Sequence, residues 1–186
     1  MFLVRWLPTF LTFPIGGWLA IETIGSMEGP LTAVLGGLVV GVFIGIGQWL
    51  VLRHRGIGLS WALTSMLATA AGLAAAILVT DAATTQGALV VLGVISGAVV
   101  GAAQSRLLDG LRRQIVWTLV VSGSWGAGWL VSANVIVDAE RSFYVFGASG
   151  ALLVTVATGL VLPRLLATVD PSATDVTVAG PIAVTP

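Results

Sequence analysis

The sequence predicts an all-α membrane protein with six transmembrane helices, arranged as three tandem hairpin repeats of about 56 residues each. The first observation is composition, because 57% of the 186 residues are hydrophobic and only 9% are charged, too few charges to cover a soluble domain. The second is that apolar stretches of about twenty residues, long enough to cross roughly 30 Å of hydrocarbon, occur six times. The third is a glycine pattern that recurs at a fixed offset. Because lipid offers no partner to backbone amides, the apolar stretches must be helical.

The apolar stretches place the six helices at approximately residues 3–24, 31–52, 59–80, 87–108, 115–137 and 143–166. Pro14 falls in the middle of the first stretch and removes a backbone hydrogen-bond donor, so we expect a bend there. Pro163 should bend the sixth helix or end it early. Residues 167–186 contain no aromatic side chain and are too few to bury a core, so we expect a flexible cytoplasmic tail.

A row of small residues is the basis of the predicted repeat. Three glycines at four-residue spacing, followed by a glutamine, occur at Gly37, Gly41, Gly45 and Gln48. Adding 56 gives the same residue types at Gly93, Gly97, Gly101 and Gln104. Adding 110 gives a partial copy at Gly147, Ala151, Thr155 and Thr158. A tryptophan followed eleven residues later by glycine also recurs, at Trp6 and Gly17, Trp61 and Gly72, and Trp117 and Gly128. These offsets predict one domain, 1–166, with hairpin repeats 1–56, 57–112 and 113–166.

The glycine rows lie on one face of each helix, because residues four apart stack along a helix. Glycine lets a neighbouring backbone approach closely, and close packing holds helices together where lipid competes for apolar side chains. The rows therefore predict helix-packing surfaces, with the lining of a narrow pathway as the alternative. The segment SGSWGAGW, residues 122–129, has two similar interpretations: a close helix contact, which we favour, or an aromatic wall that faces a groove.

The arginines predict orientation. Seven of them fall at one end of a six-helix arrangement, at Arg5, Arg53, Arg55, Arg106, Arg112, Arg113 and Arg164, and only Arg141 falls at the other. Arginine-rich loops stay in the cytoplasm, so both termini should be cytoplasmic. Anionic lipid headgroups are the expected partners of five of these side chains, Arg53, Arg55, Arg106, Arg112 and Arg113. Four tryptophans near the arginines, Trp6, Trp49, Trp61 and Trp117, are expected in the headgroup zone.

Three polar residues, Gln48, Gln104 and Thr158, are placed by the repeat at one depth, about one and a half turns inside the arginines. They either bond to one another and hold the hairpins together, or form a polar constriction for a small solute. No span carries a charge at its centre, and cysteine is absent. His54 is the single histidine and lies between two arginines. We therefore expect no enzyme activity, no metal, no cofactor and no nucleic-acid partner.

Two segments carry a family resemblance, GIGQWLVLR at 45–53 and its partial copy GAAQSRLL at 101–108. They resemble small glycine-rich bacterial proteins of uncharacterised activity, in which tandem helical hairpins end in G-x-x-Q-W-x-x-L-R stretches. The resemblance implies a multi-pass protein of the bacterial cytoplasmic membrane and implies no activity. Two functions are expected: a structural or accessory subunit that packs against other membrane helices, or a small channel or transporter for a weakly charged solute.

Overall fold

A computed structural model describes residues 1–135 and 147–166 of the chain. Its elements are α1 (Phe2–Trp6), a 3-10 helix (Leu7–Leu11), α2 (Thr12–Ile24), α3 (Pro30–Leu52), a 3-10 turn (Arg53–Arg55), α4 (Ser60–Thr80), α5 (Gln86–Ser105), α6 (Leu111–Val135) and α7 (Ala148–Leu166). The first three elements together form one membrane-length segment, called the first span below. Within the described residues, six segments are long and apolar enough to cross a membrane, which confirms the predicted number of membrane-length helices. The expected tail at 167–186 and residues 136–146, which include Arg141, lie outside the described residues.

The prolines act differently from the prediction. The first span changes to a 3-10 helix at Leu7–Leu11, directly around Pro8, and α2 starts again at Thr12. Pro14 therefore lies in the first turn of α2, where a missing donor costs little, so the predicted irregularity is real but lies before this residue. Pro163 is accommodated inside α7, which continues to Leu166, so the helix does not end early.

The six spans pack in sequence order as a closed ring. Each spanning segment contacts its neighbours in the chain, and α7 returns to contact the first span. Two observations place the chain's beginning beside Arg55 and α7: the guanidinium carbon of Arg55 lies 5.2 Å from the centre of the Phe2 ring, and Trp6 bonds to Thr158. We call this end the arginine end; it holds Arg5, Arg53, Arg55, Arg106, Arg112, Arg113 and Arg164. Of the described carboxylates, Glu22, Glu28 and Asp81 lie at the opposite end, and Asp109 lies at the arginine end.

Three contacts between helices, which we call seams, are important for the site. The first seam joins α3 to α4, the second joins α5 to α6, and the third joins α7 to the first span. In the first seam, a methyl group added to Gly41 would lie 2.6 Å from the Met66 Cα atom. In the second, one added to Gly101 would lie 2.9 Å from the Thr118 Cα atom. Such distances leave no room for a side chain, so the two helices of each seam meet backbone to backbone.

The other members of the two glycine rows lie in the same seams. Added methyl groups would lie within 3.0 Å of the partner helix at Gly37, Gly45, Gly93 and Gly97. A different set of glycines lies at contacts on the other side of α4 and α6. Gly72 of α4 faces Ser96 of α5, and Gly128 of α6 faces Gly150 of α7. The glycines of the two rows, together with Gly72 and Gly150, therefore lie where one helix backbone crosses another.

Candidate functional site

Three tryptophans lie inside the ring near the arginine end. Trp6 and Trp61 are 0% exposed and Trp117 is 1% exposed, so their rings face the interior of the protein and not lipid headgroups. Their depth in the bilayer stays a prediction. Burial is tolerated because each indole N–H finds an acceptor inside the protein, which removes the cost of hiding an unpaired donor. Trp49 differs from them: it is half-buried, and the guanidinium carbon of Arg53 lies 5.9 Å from its ring centre.

Each of these three tryptophans, Trp6, Trp61 and Trp117, donates a hydrogen bond across one seam. Trp61 Nε1 donates to Gln48 Oε1 at 3.0 Å across the first seam. Trp117 Nε1 donates to Gln104 Oε1 at 3.1 Å across the second seam. Trp6 Nε1 donates to Thr158 Oγ1 at 3.1 Å across the third seam. Each of the three polar residues that recur at the repeat spacing thus accepts a hydrogen bond from one of the three tryptophans that recur at a similar spacing.

The two glutamines also meet each other. Gln104 Nε2 donates to Gln48 Oε1 at 3.2 Å and to Ser65 Oγ at 2.8 Å. The rings of Trp61 and Trp117 pack beside these bonds, with centroids 5.9 Å apart. Thr158 takes no part in this glutamine contact; its hydroxyl donates to the Val154 carbonyl at 2.7 Å. The structure therefore joins Gln48 to Gln104 directly, while Thr158 bonds to another helix through Trp6.

We call this set of side chains the tryptophan–amide layer; its members are Trp6, Gln48, Trp61, Ser65, Gln104, Trp117 and Thr158. The orientation of both amides follows from the bonds, since an indole N–H requires the amide oxygen and not the nitrogen. Gln104 then uses its oxygen once and its nitrogen twice. A buried polar network in which most groups are satisfied specifies one packing of the surrounding helices.

Two buried hydroxyls in the described residues lack a partner. Thr155 Oγ1 and Ser132 Oγ are enclosed by protein and accept or donate no hydrogen bond there. Thr155 stands where the 110-residue offset places the counterpart of Gly45. The partial third copy of the glycine row therefore adds a hydroxyl that its surroundings do not satisfy, and an unsatisfied buried hydroxyl lowers stability.

An apolar cavity of about 90 Å³ occupies the half of the ring that faces the opposite end. Its wall includes Phe13 of the first span, Ile44 of α3, Leu73 of α4, Leu92 of α5 and two side chains of α6, Trp125 and Trp129. Sequence reasoning did not predict this cavity as a site. The one available signal was the segment SGSWGAGW, whose alternative interpretation was an aromatic wall facing a groove. Trp125 does both, since its backbone lies against Gly93 and its side chain lines the cavity.

The five arginines predicted to bind lipid headgroups have three kinds of surroundings. Arg53 and Arg55 cover the aromatic rings of Trp49 and Phe2, and Arg106 is exposed at the end of α5. The remaining two line a surface groove of about 760 Å³ between the start of α6 and the end of α7. This groove is bordered by Asp109, Arg112, Arg113 and Arg164.

No protein-family model, curated protein or solved structure matches this chain. The assignment of function therefore depends on the geometry of the tryptophan–amide layer and the cavity.

Proposed function

We propose that the chain is a structural or accessory protein of the bacterial cytoplasmic membrane, a ring of three tandem hairpin repeats with both termini in the cytoplasm. The observation that carries the proposal is the tryptophan–amide layer. In it, the interior polar side chains Gln48, Gln104 and Thr158 bond to other residues of the same chain.

A solute pathway requires polar groups that face water. Gln48 is 7% exposed, Gln104 is 1% exposed and Thr158 is 3% exposed, so none of them faces an open passage. Each accepts a tryptophan N–H from the next helix, which favours a role in holding the ring closed. Interhelical hydrogen bonds in membranes average roughly 0.6 kcal/mol each, so a connected set adds useful but modest stability.

The proposed repeat has physical support in the equivalence of its bonds. Trp61 and Trp117 are 56 residues apart, as are their acceptors Gln48 and Gln104. The third bond joins the first repeat to the last, from Trp6 to Thr158. The same contact at each of three seams is what a threefold repetition of one hairpin would produce. The one-sided arginines support the proposed cytoplasmic location of both termini.

The accessory role is supported by the part of the protein surface that remains available for contacts with other molecules. The interior polar groups of the layer are used in contacts within the chain, so interactions with other molecules fall to the outer surface. That surface displays large apolar side chains, such as Leu63, Leu67 and Leu119. Helices of a partner membrane protein and lipid chains are both chemically suited to it.

Single cysteines can test whether the tryptophan–amide layer blocks access to the cavity from the arginine end, because the natural chain has no cysteine. Ile44→Cys places a thiol at the cavity wall, one helical turn from Gln48. A membrane-impermeant thiol reagent applied from the arginine end should not label it, while His54→Cys, exposed at that end, should label fully. Adding Gln104→Ala to Ile44→Cys should open the layer and permit labelling.

The accessory role itself is tested by gentle detergent extraction of the natural membrane, followed by mass analysis of proteins that migrate with the chain. A constant stoichiometry with one or more membrane proteins is expected. Recovery of the chain alone, still folded, would contradict an accessory role and leave a self-contained protein.

The second candidate is the small channel or transporter with a constriction at Gln48, Gln104 and Thr158. One observation favours it: the cavity reaches Ile44 and Thr69, each one turn from the layer, so this layer separates the cavity from the arginine end. Labelling of Ile44→Cys from the arginine end with the layer intact would favour this candidate over the structural one.

A further inference from the structure

The apolar cavity extends along the axis of the ring between the tryptophan–amide layer and the end opposite the arginines. Its wall on α3 runs from Ala33 to Ile44, and the eleven residue steps between them correspond to about 16 Å of helix. Half of the hydrocarbon thickness of a bilayer is about 15 Å. The space in which the centre of a water-sized group can lie is about 90 Å³, and over that length it admits a single file of atoms. This shape suits one extended hydrocarbon chain better than a fused ring system.

The chemistry of the wall selects an apolar occupant. Aliphatic and aromatic side chains dominate it, and Thr69 already donates its hydroxyl proton to the Ser65 carbonyl. Apolar cavities of this kind stay dry and bind apolar ligands, since water would lack hydrogen-bond partners inside. The bottom of the cavity is closed, because the tryptophan–amide layer follows one turn beyond Ile44 and Thr69. A chain can therefore enter from the opposite end and stop at the layer.

Two loops form the mouth of the cavity. Met27 lies in a notch that Gly36 leaves open, with its sulfur 2.5 Å from the point where a Gly36 methyl group would be. On the other side, Asp81 and Ala82 both have positive φ angles, 50° and 53°, in a turn that places Ala82 against the core. Left-handed backbone in two successive residues other than glycine costs free energy, and such strain is concentrated at ligand sites. Both loops supply residues to the cavity wall.

The charges beside the mouth distinguish between headgroups. Glu28 follows the wall residue Met27, and Asp81 precedes the wall residue Ala82; both carboxylates are exposed. Among the described residues, all arginines lie at the other end. An ammonium group is attracted to these carboxylates, whereas a free carboxylate is repelled.

We propose that the cavity binds one hydrocarbon chain of a membrane phospholipid that carries an ammonium headgroup, such as phosphatidylethanolamine. The chain end lies against Ile44 and Trp125, and the headgroup stays beside Glu28 and Asp81. The bound chain fills the space at the centre of the ring, so the protein holds a lipid as part of its structure. This assignment concerns the cavity alone and holds for either function proposed above.

Photo-crosslinking tests the site on the full chain in lipid nanodiscs. Phosphatidylethanolamine that carries a diazirine at the chain terminus should form adducts with Ile44 or Trp125 at the bottom of the cavity. The same lipid with its diazirine near the ester should shift the interior adducts toward Met27 and Leu89 at the mouth. Leu67 faces outward and should be labelled by bulk lipid in every sample, as the positive control. Labelled Leu67 without any interior adduct would overturn the proposal.

Two variants separate cavity binding from nonspecific labelling. Leu73→Phe adds bulk inside the cavity, and Ala83→Trp adds bulk at its exposed mouth, where folding is not disturbed. Each should reduce interior adducts at least fivefold, while the matched outward change Leu67→Phe should leave them unchanged. Unchanged interior labelling in both cavity variants would overturn the site.

A second lipid probe tests the headgroup. A free fatty acid with the same terminal diazirine should give several-fold fewer interior adducts than phosphatidylethanolamine, because its carboxylate meets Glu28 and Asp81. The double variant Glu28→Gln, Asp81→Asn should remove that difference. Equal labelling by the two probes in the unmodified protein would overturn the assignment of the headgroup.

Discussion

All three seams of the ring contain a tryptophan hydrogen bond, but the helix backbones pack differently in the third seam than in the first two. In the first seam, α3 and α4 approach closely along the glycine row from Gly37 to Gly45. In the third, α7 contacts chiefly the residues before Thr12 and touches α2 only marginally. By the 110-residue offset, the counterparts of Gly41 and Gly45 in α7 are Ala151 and Thr155, which are not glycines. The comparison shows that one hydrogen bond can fix the end of a seam, whereas a glycine row is needed to close its full length.

The largest loss of stability should come from a bulky side chain placed in a glycine seam. Gly41→Leu forces the side chain into the Met66 backbone and should destabilise the protein by about 3 kcal/mol or more, because neither helix can give way. Gly123→Leu is the matched control, since that glycine is exposed and has no neighbouring atom within 4 Å. The measurement is the folded fraction after heating in detergent, followed by size-exclusion chromatography. Similar losses in both variants would contradict the packing role of the row.

Substitutions in the tryptophan–amide layer should lower stability less than Gly41→Leu, and the loss should differ between the seams. Gln104→Leu removes bonds to Trp117, Gln48 and Ser65, and it should lower the free energy of unfolding by about 2–3 kcal/mol. Thr158→Val removes the acceptor of Trp6 and a hydroxyl bond to the Val154 carbonyl within α7, with little change of shape, so we expect a loss of about 1 kcal/mol. Denaturant titration in mixed micelles, followed by tryptophan fluorescence, measures both. A larger loss in Thr158→Val would show that the third seam depends on its bond more than the geometry indicates.

The sequence predicted the parts of this comparison that depend on periodicity. Six apolar stretches and the glycine rows follow from chain positions alone, and Gln48 and Gln104 were singled out by their 56-residue offset. The burial of Trp6 could not be read in this way, because its acceptor Thr158 lies 152 residues further along. A tryptophan beside an arginine is typical of the headgroup zone, and only the rotation of the helix decides whether the ring faces inward.

The cavity was beyond sequence reasoning for a related reason. Side chains from α2 to α6 surround it, and no single helix records an empty volume that only their assembly creates. The first span illustrates a similar limit. Pro8 and Pro14 are both visible in the sequence, yet the 3-10 helix forms around Pro8, which leaves Pro14 in a first turn. Proline restricts the backbone, but the surrounding contacts decide where the irregular turn is placed.

The third seam should open before the others. Its contacts are concentrated at the 3-10 helix Leu7–Leu11, whose hydrogen bonds are weaker than those of an α-helix. Backbone amides there should exchange with deuterium about tenfold faster than those of α3 around Gly41, a difference of ~1.4 kcal/mol in opening free energy. Hydrogen exchange with mass spectrometry on the protein in nanodiscs provides the measurement. Equal protection of the two segments would mean that all three seams open as one unit.

The smallest expected effect is a gain in stability and not a loss. Thr155 and Thr158 lie on the same helix and are both buried, but Thr158 accepts from Trp6 and Thr155 has no partner. Thr155→Val removes an unsatisfied hydroxyl with almost no change of volume, so we expect the free energy of unfolding to rise by about 0.5–1 kcal/mol. The same titration that measures Thr158→Val provides the comparison. If both valine variants lost stability, the Thr155 hydroxyl would have to bond in the folded protein, and the third seam would be tighter than its backbone contacts indicate. A gain in Thr155→Val with a loss in Thr158→Val would show that within one helix the hydrogen bond, and not the threonine itself, decides stability.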